Sequence, residues 1–289
     1  RMGVDVDVFT RSQNPEIPRV VRMGENARVI HLPAGPEAPM PREAIHRHLP
    51  EFVSNLEAFR RAEGLDYSLI HSHYWLSGVA GLTLAESWRV PLIQMFHTLG
   101  QLKNEVARSP EEREPGLRIA EEERIVAEAD RLVASNPVER AHLVWYYRAR
   151  ADRIRVIPCG VDTELFHPMD QAEAKAALGL GPAPVLLYVG RLSPIKGLET
   201  LLEALPRVPR RGEPGPALFV IGGDADEPVN GHVAYLRQRV AALGLEGTVR
   251  FLGAQPQEGL RLYYAAAEVP VMPSYYESFG MVALEAMAC

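Results

Sequence analysis

Short runs of β-branched and aliphatic residues alternate along the chain with longer segments whose apolar positions recur every three or four residues. That is the pattern of parallel strands joined by crossover helices. In the first half it predicts strands at 4–10, 28–32, 68–72, 91–97, 131–135 and 153–158, with helices between most of them. The stretch CGVDTELFHPMD (159–170) carries turn residues and no period, and a second series of strands follows at 185–190, 217–221, 249–252 and 269–273. Two α/β domains are therefore expected, 1–166 and 167–289, each built on a parallel sheet. Loops such as PRRGEPGP (209–216) read as surface connections.

Composition narrows the function classes. A chain of 289 residues with 47% hydrophobic and 24% charged positions is long enough for two cores of typical domain size. The formal net charge of -6 argues against nucleic acid as the main partner, because a surface that binds phosphodiesters normally leaves a basic excess. The two cysteines, Cys159 and Cys289, lie far apart with no CxxC or Cys/His spacing, so neither a disulfide framework nor a zinc site is indicated. A reducing cytoplasm fits this cysteine usage, and no apolar run is long enough to span a bilayer.

In open α/β sheets ligands bind beyond the carboxyl ends of the strands, which makes the residues after each strand the first candidates. In VLLYVGRLSPIKGLETLLEAL, Arg191 and Lys196 fall between a strand and a helix expected to start near Gly197. A helix amino terminus is partially positive, so two cations beside it point to an anion between them. The plainer alternative is a pair of solvated loop cations. The spacing is not that of a P-loop, and IGGDADEP (221–228) lacks the lysine as well; its Gly222 and Gly223 read as a tight turn or a close backbone approach.

The closing run ESFGMVALEAMAC sets Glu285 eight positions after Glu277, inside an otherwise apolar stretch. An ionised carboxylate there must either face solvent or meet a polar partner. With a helix from near Ser278, the amides of Ser278, Phe279 and Gly280 form a second terminus that favours anions. Eight residues at the helical rise span about 12 Å as an upper figure. A nucleoside diphosphate sugar has that layout, with a sugar and a ribose flanking a dianionic pyrophosphate.

Taken together, GRLSPIKG (190–197), EVPVMPSYYESFGMVALEAMA (268–288) and IPCGVDTELFHP (157–168) resemble the retaining glycosyltransferases of family 4, whose fold is of the two-domain GT-B type. HSHYWLSGVAGL (71–82), VPLIQMFHTLGQLKN (90–104) and PGLRIAEEERIVAEADRLVASN (115–136) are similar to the branch that holds the D-inositol 3-phosphate glycosyltransferases and the sucrose-phosphate synthases. The resemblance implies two Rossmann-like domains facing a cleft, the first on the acceptor side and the second holding the nucleotide sugar. It implies Arg191 and Lys196 at the donor diphosphate, Glu277 beside the donor sugar, Glu285 at the ribose, and His97 as an active-site histidine facing the sugar. It assigns Arg42, Tyr74, Thr98 and Arg118 to an acceptor phosphate, with Arg42 standing where the inositol-phosphate enzymes have a lysine.

On residues alone, a strand-end histidine is more often structural, and Arg118 could equally pair with Glu121 or Glu122 one turn on. The implied chemistry is retaining hexosyl transfer from a UDP-sugar, UDP-glucose or UDP-N-acetylglucosamine, to a small phosphorylated polyol or sugar. No cofactor and no metal are needed, and no glycosyl-enzyme intermediate forms. Family members begin before the position of Arg1 and continue past Cys289, so the chain looks truncated at both ends and residues 1–289 alone are expected to be inactive. Three alternatives stand beside this reading: a sugar-binding protein without chemistry, a non-catalytic relative that keeps nucleotide binding, and an enzyme that uses a lipid-linked or neutral glycan at a membrane surface. The last draws on VWYYRARADRIR (144–155), where aromatics and arginines mix.

Overall fold

The computed structural model describes residues 3–208, 215–223 and 231–289. Residues 209–214 of the Pro/Gly connection and 224–228 of IGGDADEP lie outside the described residues. The chain folds into two compact units, one made of residues 1–101 and 114–157, the other of 102–113 and 158–289.

The first unit contains β1 (Val6–Arg11), β2 (Val20–Arg22), β3 (Ala27–Leu32), α1 (Arg42–His46), α2 (Leu49–Ala62), β4 (Ile70–His73), α3 (Tyr74–Trp88), β5 (Leu92–Met95), the start of α4 (Gly100–Glu105), α5 (Gly116–Glu128), β6 (Arg131–Ala134), α6 (Pro137–Tyr147) and β7 (Ile154–Val156). Its strands form two hydrogen-bonded sheets, β1-β3-β2 and β4-β5-β6-β7, where the periodicity predicts one. Every pairing is parallel except that of β2 with β3. Sequence reading missed β2, because three exposed residues between polar turns carry no measurable period. It also ran the fourth predicted strand, 91–97, too far. Pairing stops at Met95, and His97 turns into a left-handed conformation at φ 62°.

The second unit contains α7 (Gln171–Ala177), β8 (Val185–Val189), α8 (Leu198–Ala204), β9 (Ala217–Ile221), α9 (His232–Ala242), β10 (Val249–Gly253), α10 (Gln257–Ala266), β11 (Val269–Pro270) and α11 (Met281–Ala288). Its parallel sheet has the order β10-β9-β8-β11. Strand β9 is apolar throughout because both faces are covered. Leu218 and Val220 enter one core with Leu198, Leu202 and Leu236, while Phe219 and Ile221 enter another with Phe166, Leu187 and Tyr264. The order reverses at β8, which puts the ends of β8 and β11 at the position where open α/β sheets hold ligands.

The post-strand loops meet through glycine. At Gly222, with φ 131°, a Cβ would lie 1.9 Å from the Gly190 carbonyl oxygen, which realises the close backbone approach expected of this residue. Gly222→Ala is therefore expected to destabilise the protein by at least about 3 kcal/mol. Gly179→Ala has a comparable left-handed demand at φ 64° but nothing within 4 Å, and is expected to cost only about 1 kcal/mol. Chemical unfolding of both variants measures the difference.

Candidate active site

At the reversal point of the second unit, two loops are laced together. Gly197, left-handed at φ 67°, lets the Pro273 carbonyl approach to within 2.1 Å of where a Cβ would stand. The Tyr275 amide donates to the Ile195 carbonyl at 2.9 Å. The lacing delivers Lys196 Nζ to Glu277 Oε2 at 2.5 Å, with the Ser274 hydroxyl donating to the same oxygen at 3.4 Å. Lys196 thus already meets one carboxylate of the protein itself. Arg191 is exposed, and its guanidinium makes no hydrogen bond or ion pair among the described residues. Burial raises the pKa of the Tyr188 phenol; Glu277 adds to the shift and Arg191 opposes it, which puts both charges within electrostatic reach of one ring.

A 3-10 turn over Pro194–Lys196 precedes α8, which starts at Leu198 with Gly197 as its N-cap, where a helix is expected. One local expectation needs correction. The last helix starts at Met281 and not near Ser278, because Gly280, its N-cap, adopts a left-handed φ of 88°. Ser278 and Phe279 therefore lie in the loop that precedes the helix, and their amides are not part of its terminus. Glu285 does not face solvent. It is 8% exposed and accepts a hydrogen bond from the Tyr264 hydroxyl at 2.8 Å. Burial, reinforced by that carboxylate, raises the Tyr264 pKa. No contact joins Glu285 to Glu277 or Lys196 among the described residues.

In the first unit the structure gathers Arg42, Tyr74, Thr98 and Arg118. The guanidinium of Arg42 lies 5.8 Å, and that of Arg118 5.0 Å, from the centroid of the Tyr74 ring. Arg118 Nη2 donates to both the Thr98 carbonyl, at 2.9 Å, and its hydroxyl, at 3.0 Å. Arg42, Tyr74 and Arg118 line a small pocket together with Glu43, Trp75 and Glu114. Arg118 is only 1% exposed, so it is no helix-surface arginine. Its charge is met by Glu122 at 2.8 Å and Glu114 at 2.9 Å, whereas Glu121 pairs with Arg124 and His46. These carboxylates answer the conflict between a cation and the helix amino terminus.

Several residues of this site escaped sequence reading. Glu122, wholly buried, accepts from Arg118 Nε, from the Tyr147 hydroxyl at 2.5 Å and from the Gly100 amide at 2.9 Å, the last at the first turn of α4. Burial together with Glu122 raises the Tyr147 pKa. Gln94, also wholly buried, accepts from Ser72 and donates to the Tyr74 and Met95 carbonyls, which braces Tyr74 in its left-handed conformation at φ 73°. Its signal was a polar residue in the apolar run LIQMF, the same signal that drew attention to Glu285. His71 and His73, alternate residues of β4, stand beside His97, with the His73 and His97 ring centroids 5.0 Å apart. The described residues contain no group of His, Cys, Asp and Glu able to hold a metal. Asp224 and Asp226, an Asp-x-Asp after β9, lie outside them.

Two family models divide the chain between them. The model of Glycosyltransferase Family 4 matches residues 1–165, and that of the Glycosyl transferases group 1 matches residues 170–289. The chain belongs to glycosyltransferase family 4. Over 297 residues this glycosyltransferase is 41% identical to D-inositol 3-phosphate glycosyltransferase of Saccharomonospora viridis, covering 100% of the chain and 68% of that protein. It is 39% identical to the same enzyme of Actinosynnema mirum, with 100% and 70% covered. Among solved structures it resembles sucrose-phosphate synthase from Thermosynechococcus elongatus at a TM-score of 0.90 and 37% identity, covering 99% of this chain and 70% of that one. It also resembles HepE of Anabaena in complex with UDP and glucose, at a TM-score of 0.68 and 25% identity over 90% of this chain and 65% of that one. The GT-B fold and hexosyl transfer follow from this membership. No helix among the described residues is long and apolar enough to cross a membrane.

The buried groups of the first unit set two expected outcomes. Glu122→Gln, which removes the buried carboxylate shared by Arg118, Tyr147 and the Gly100 amide and leaves Arg118 to Glu114 alone, is expected to cost about 3 kcal/mol, and Tyr147→Phe about 1 to 3 kcal/mol, by urea unfolding. The second concerns pH. Desolvation, then neighbouring imidazoles, lowers the pKa of His71, His73 and His97 below 6.5 although each ring keeps an exposed edge. The unfolded chain then binds protons first as pH falls through 6.5, so stability contributed by these residues is intact above that value and declines below it. NMR titration is expected to place all three midpoints below 6.5, and one at or above it contradicts the prediction.

Proposed function

We propose that this protein transfers a hexosyl group, with retention, from a UDP-sugar held by the second unit to a small phosphorylated polyol or sugar recognised by the first. The observation that carries the acceptor reading is the convergence of Arg42 and Arg118 on the single Tyr74 ring, with the Thr98 hydroxyl bound to Arg118. A phosphate suits such a group because guanidinium forks and hydroxyls bind its oxygens with high geometric specificity. Glu114 and Glu122 already balance Arg118, whereas Arg42 is exposed and has no ion-pair partner among the described residues, so Arg42 supplies the uncompensated charge. The named relatives, which act on inositol 3-phosphate and make sucrose phosphate, agree with that acceptor class.

On the donor side, an ammonium has three donors and Lys196 spends one on Glu277. Two remain for a diphosphate oxygen, and exposed Arg191 is at hand for another. Cations fixed by the fold stabilise the charge that develops on the departing diphosphate, while Glu277 is placed for a sugar hydroxyl. Glu277 and Glu285 do not act as an acid and base pair of the hydrolase kind, because both are engaged, one by Lys196 and the other by Tyr264. UDP-glucose and UDP-N-acetylglucosamine are the donors of choice, and the Anabaena complex with UDP and glucose supports the first.

A second reading, a lipid-linked acceptor, draws on the outer face of α6. Trp145 is 83% exposed there and Val138 61%, with Arg148 and Arg150 just beyond. Co-sedimentation with anionic vesicles supports that reading, and its absence removes it.

Titration of UDP into the full-length protein is expected to show saturable binding that weakens in Lys196→Ala and in Arg191→Ala; unchanged affinity in both overturns the donor assignment. In competition, phosphorylated acceptors are expected to exceed their dephosphorylated forms by at least about tenfold, or 1.4 kcal/mol. Arg42→Ala abolishes the preference and Arg42→Lys restores part of it. Equal use of both forms by the intact enzyme refutes the phosphate site.

A further inference from the structure

His71 and His73 have no task in the reaction described above, yet their rings pack beside His97 at the ends of β4 and β5. Strand alternation puts both on the same side of β4, with ring centroids 4.3 Å apart. The parallel register sets His73 opposite Met95, two residues before His97. The left-handed backbone at His97 then brings its ring back over His73, nearly parallel at 19°, with His73 Nδ1 2.8 Å from His97 Nε2. A side chain in that backbone region is disfavoured, and here the conformation closes an imidazole–imidazole hydrogen bond.

We infer that His73 is a positioning residue for His97: by engaging Nε2 it holds the ring in one orientation and one tautomer and leaves Nδ1 as the atom that meets a hydroxyl of the transferred sugar. The inference rests on the reading of His97 as the histidine that faces that sugar. A neutral imidazole has one N–H and one lone pair, so the nitrogen that shares a proton with His73 determines whether the other donates or accepts. A free ring would exchange both states and rotate. The held ring presents one, which suits a contact needed in the same geometry at every turnover. His71, packed behind His73, restricts its rotation in turn.

Three measurements on the full-length enzyme test the idea. His73→Phe keeps the ring and its stacking but removes Nδ1, whereas His73→Asn loses the ring but puts an amide able to donate or accept near the position of Nδ1. The expected result is a fall in kcat of at least about tenfold in His73→Phe with UDP affinity unchanged, and near wild-type kcat in His73→Asn. The 15N resonance of His97 Nε2 is expected to move in His73→Phe and to return toward the wild-type position in His73→Asn. Full activity in His73→Phe with loss in His73→Asn means a packing role and overturns the inference, as does an Nε2 resonance indifferent to His73→Phe. A wild-type protein that transfers no sugar from any UDP-sugar, with the Nε2 response intact, overturns the functional reading and the role at the sugar while leaving the hydrogen bond standing.

Discussion

A carboxylate sealed from water organises the first unit. Glu122 has two oxygens and three donors: a guanidinium, a phenol and a backbone amide. Each donor belongs to a different segment, α5 itself, α6 and the start of α4, so one ionised group ties three helices to a single point. The Coulomb gain of a buried pair is largely consumed by the desolvation of both ions, which makes the Arg118–Glu122 contact a modest source of net stability but a demanding one geometrically. Orientation is the result. Arg118 cannot swing away from the Tyr74 ring or from Thr98 without leaving Glu122 and Glu114 uncompensated. The guanidinium is therefore in place before any ligand arrives, and little ordering is left to be done on binding.

The two units solve the same problem with different chemistry. Both set functional groups just beyond parallel strands, where backbone geometry is freed from pairing. The second relies on glycine, whose missing side chain lets Gly197 abut Pro273 and Gly222 abut Gly190. The first places side chains in left-handed backbone at Tyr74 and His97 and holds them with buried polar groups, Gln94 beneath Tyr74 and the neighbouring histidine beside His97. A strained residue braced in this way keeps its direction, at a cost met by the surrounding core.

Charge pairing within the protein also shapes how ligands are received. Lys196 rests on Glu277, and Arg118 on two glutamates, so neither cation is bare. Such pairing restrains nonspecific binding of anions and lets a ligand displace or share partners that already point correctly. Arg42 and Arg191 are by contrast exposed and have no ion-pair partner among the described residues.

Element type and order were legible in the chain, because a buried strand must be apolar on both faces and a crossover helix on one. The alternation of β8 through β11 with their helices could be read from those periods alone. Arg191, Lys196, Glu277 and Glu285 stood out in the same way, as polar residues after strands or inside an apolar run. What no local rule contains is the partner of each charge. That Glu285 meets Tyr264, that Lys196 meets Glu277 and that Arg118 is buried between Glu114 and Glu122 depend on contacts between segments distant in the chain or on which face of a helix is covered. The same holds for the start of α11, moved three residues by the left-handed turn at Gly280, and for the gathering of His71, His73 and His97, whose ring contact depends on the register of β4 against β5. Periodicity is a property of neighbours along the chain; pairing is a property of neighbours in space, and only the packed fold decides it.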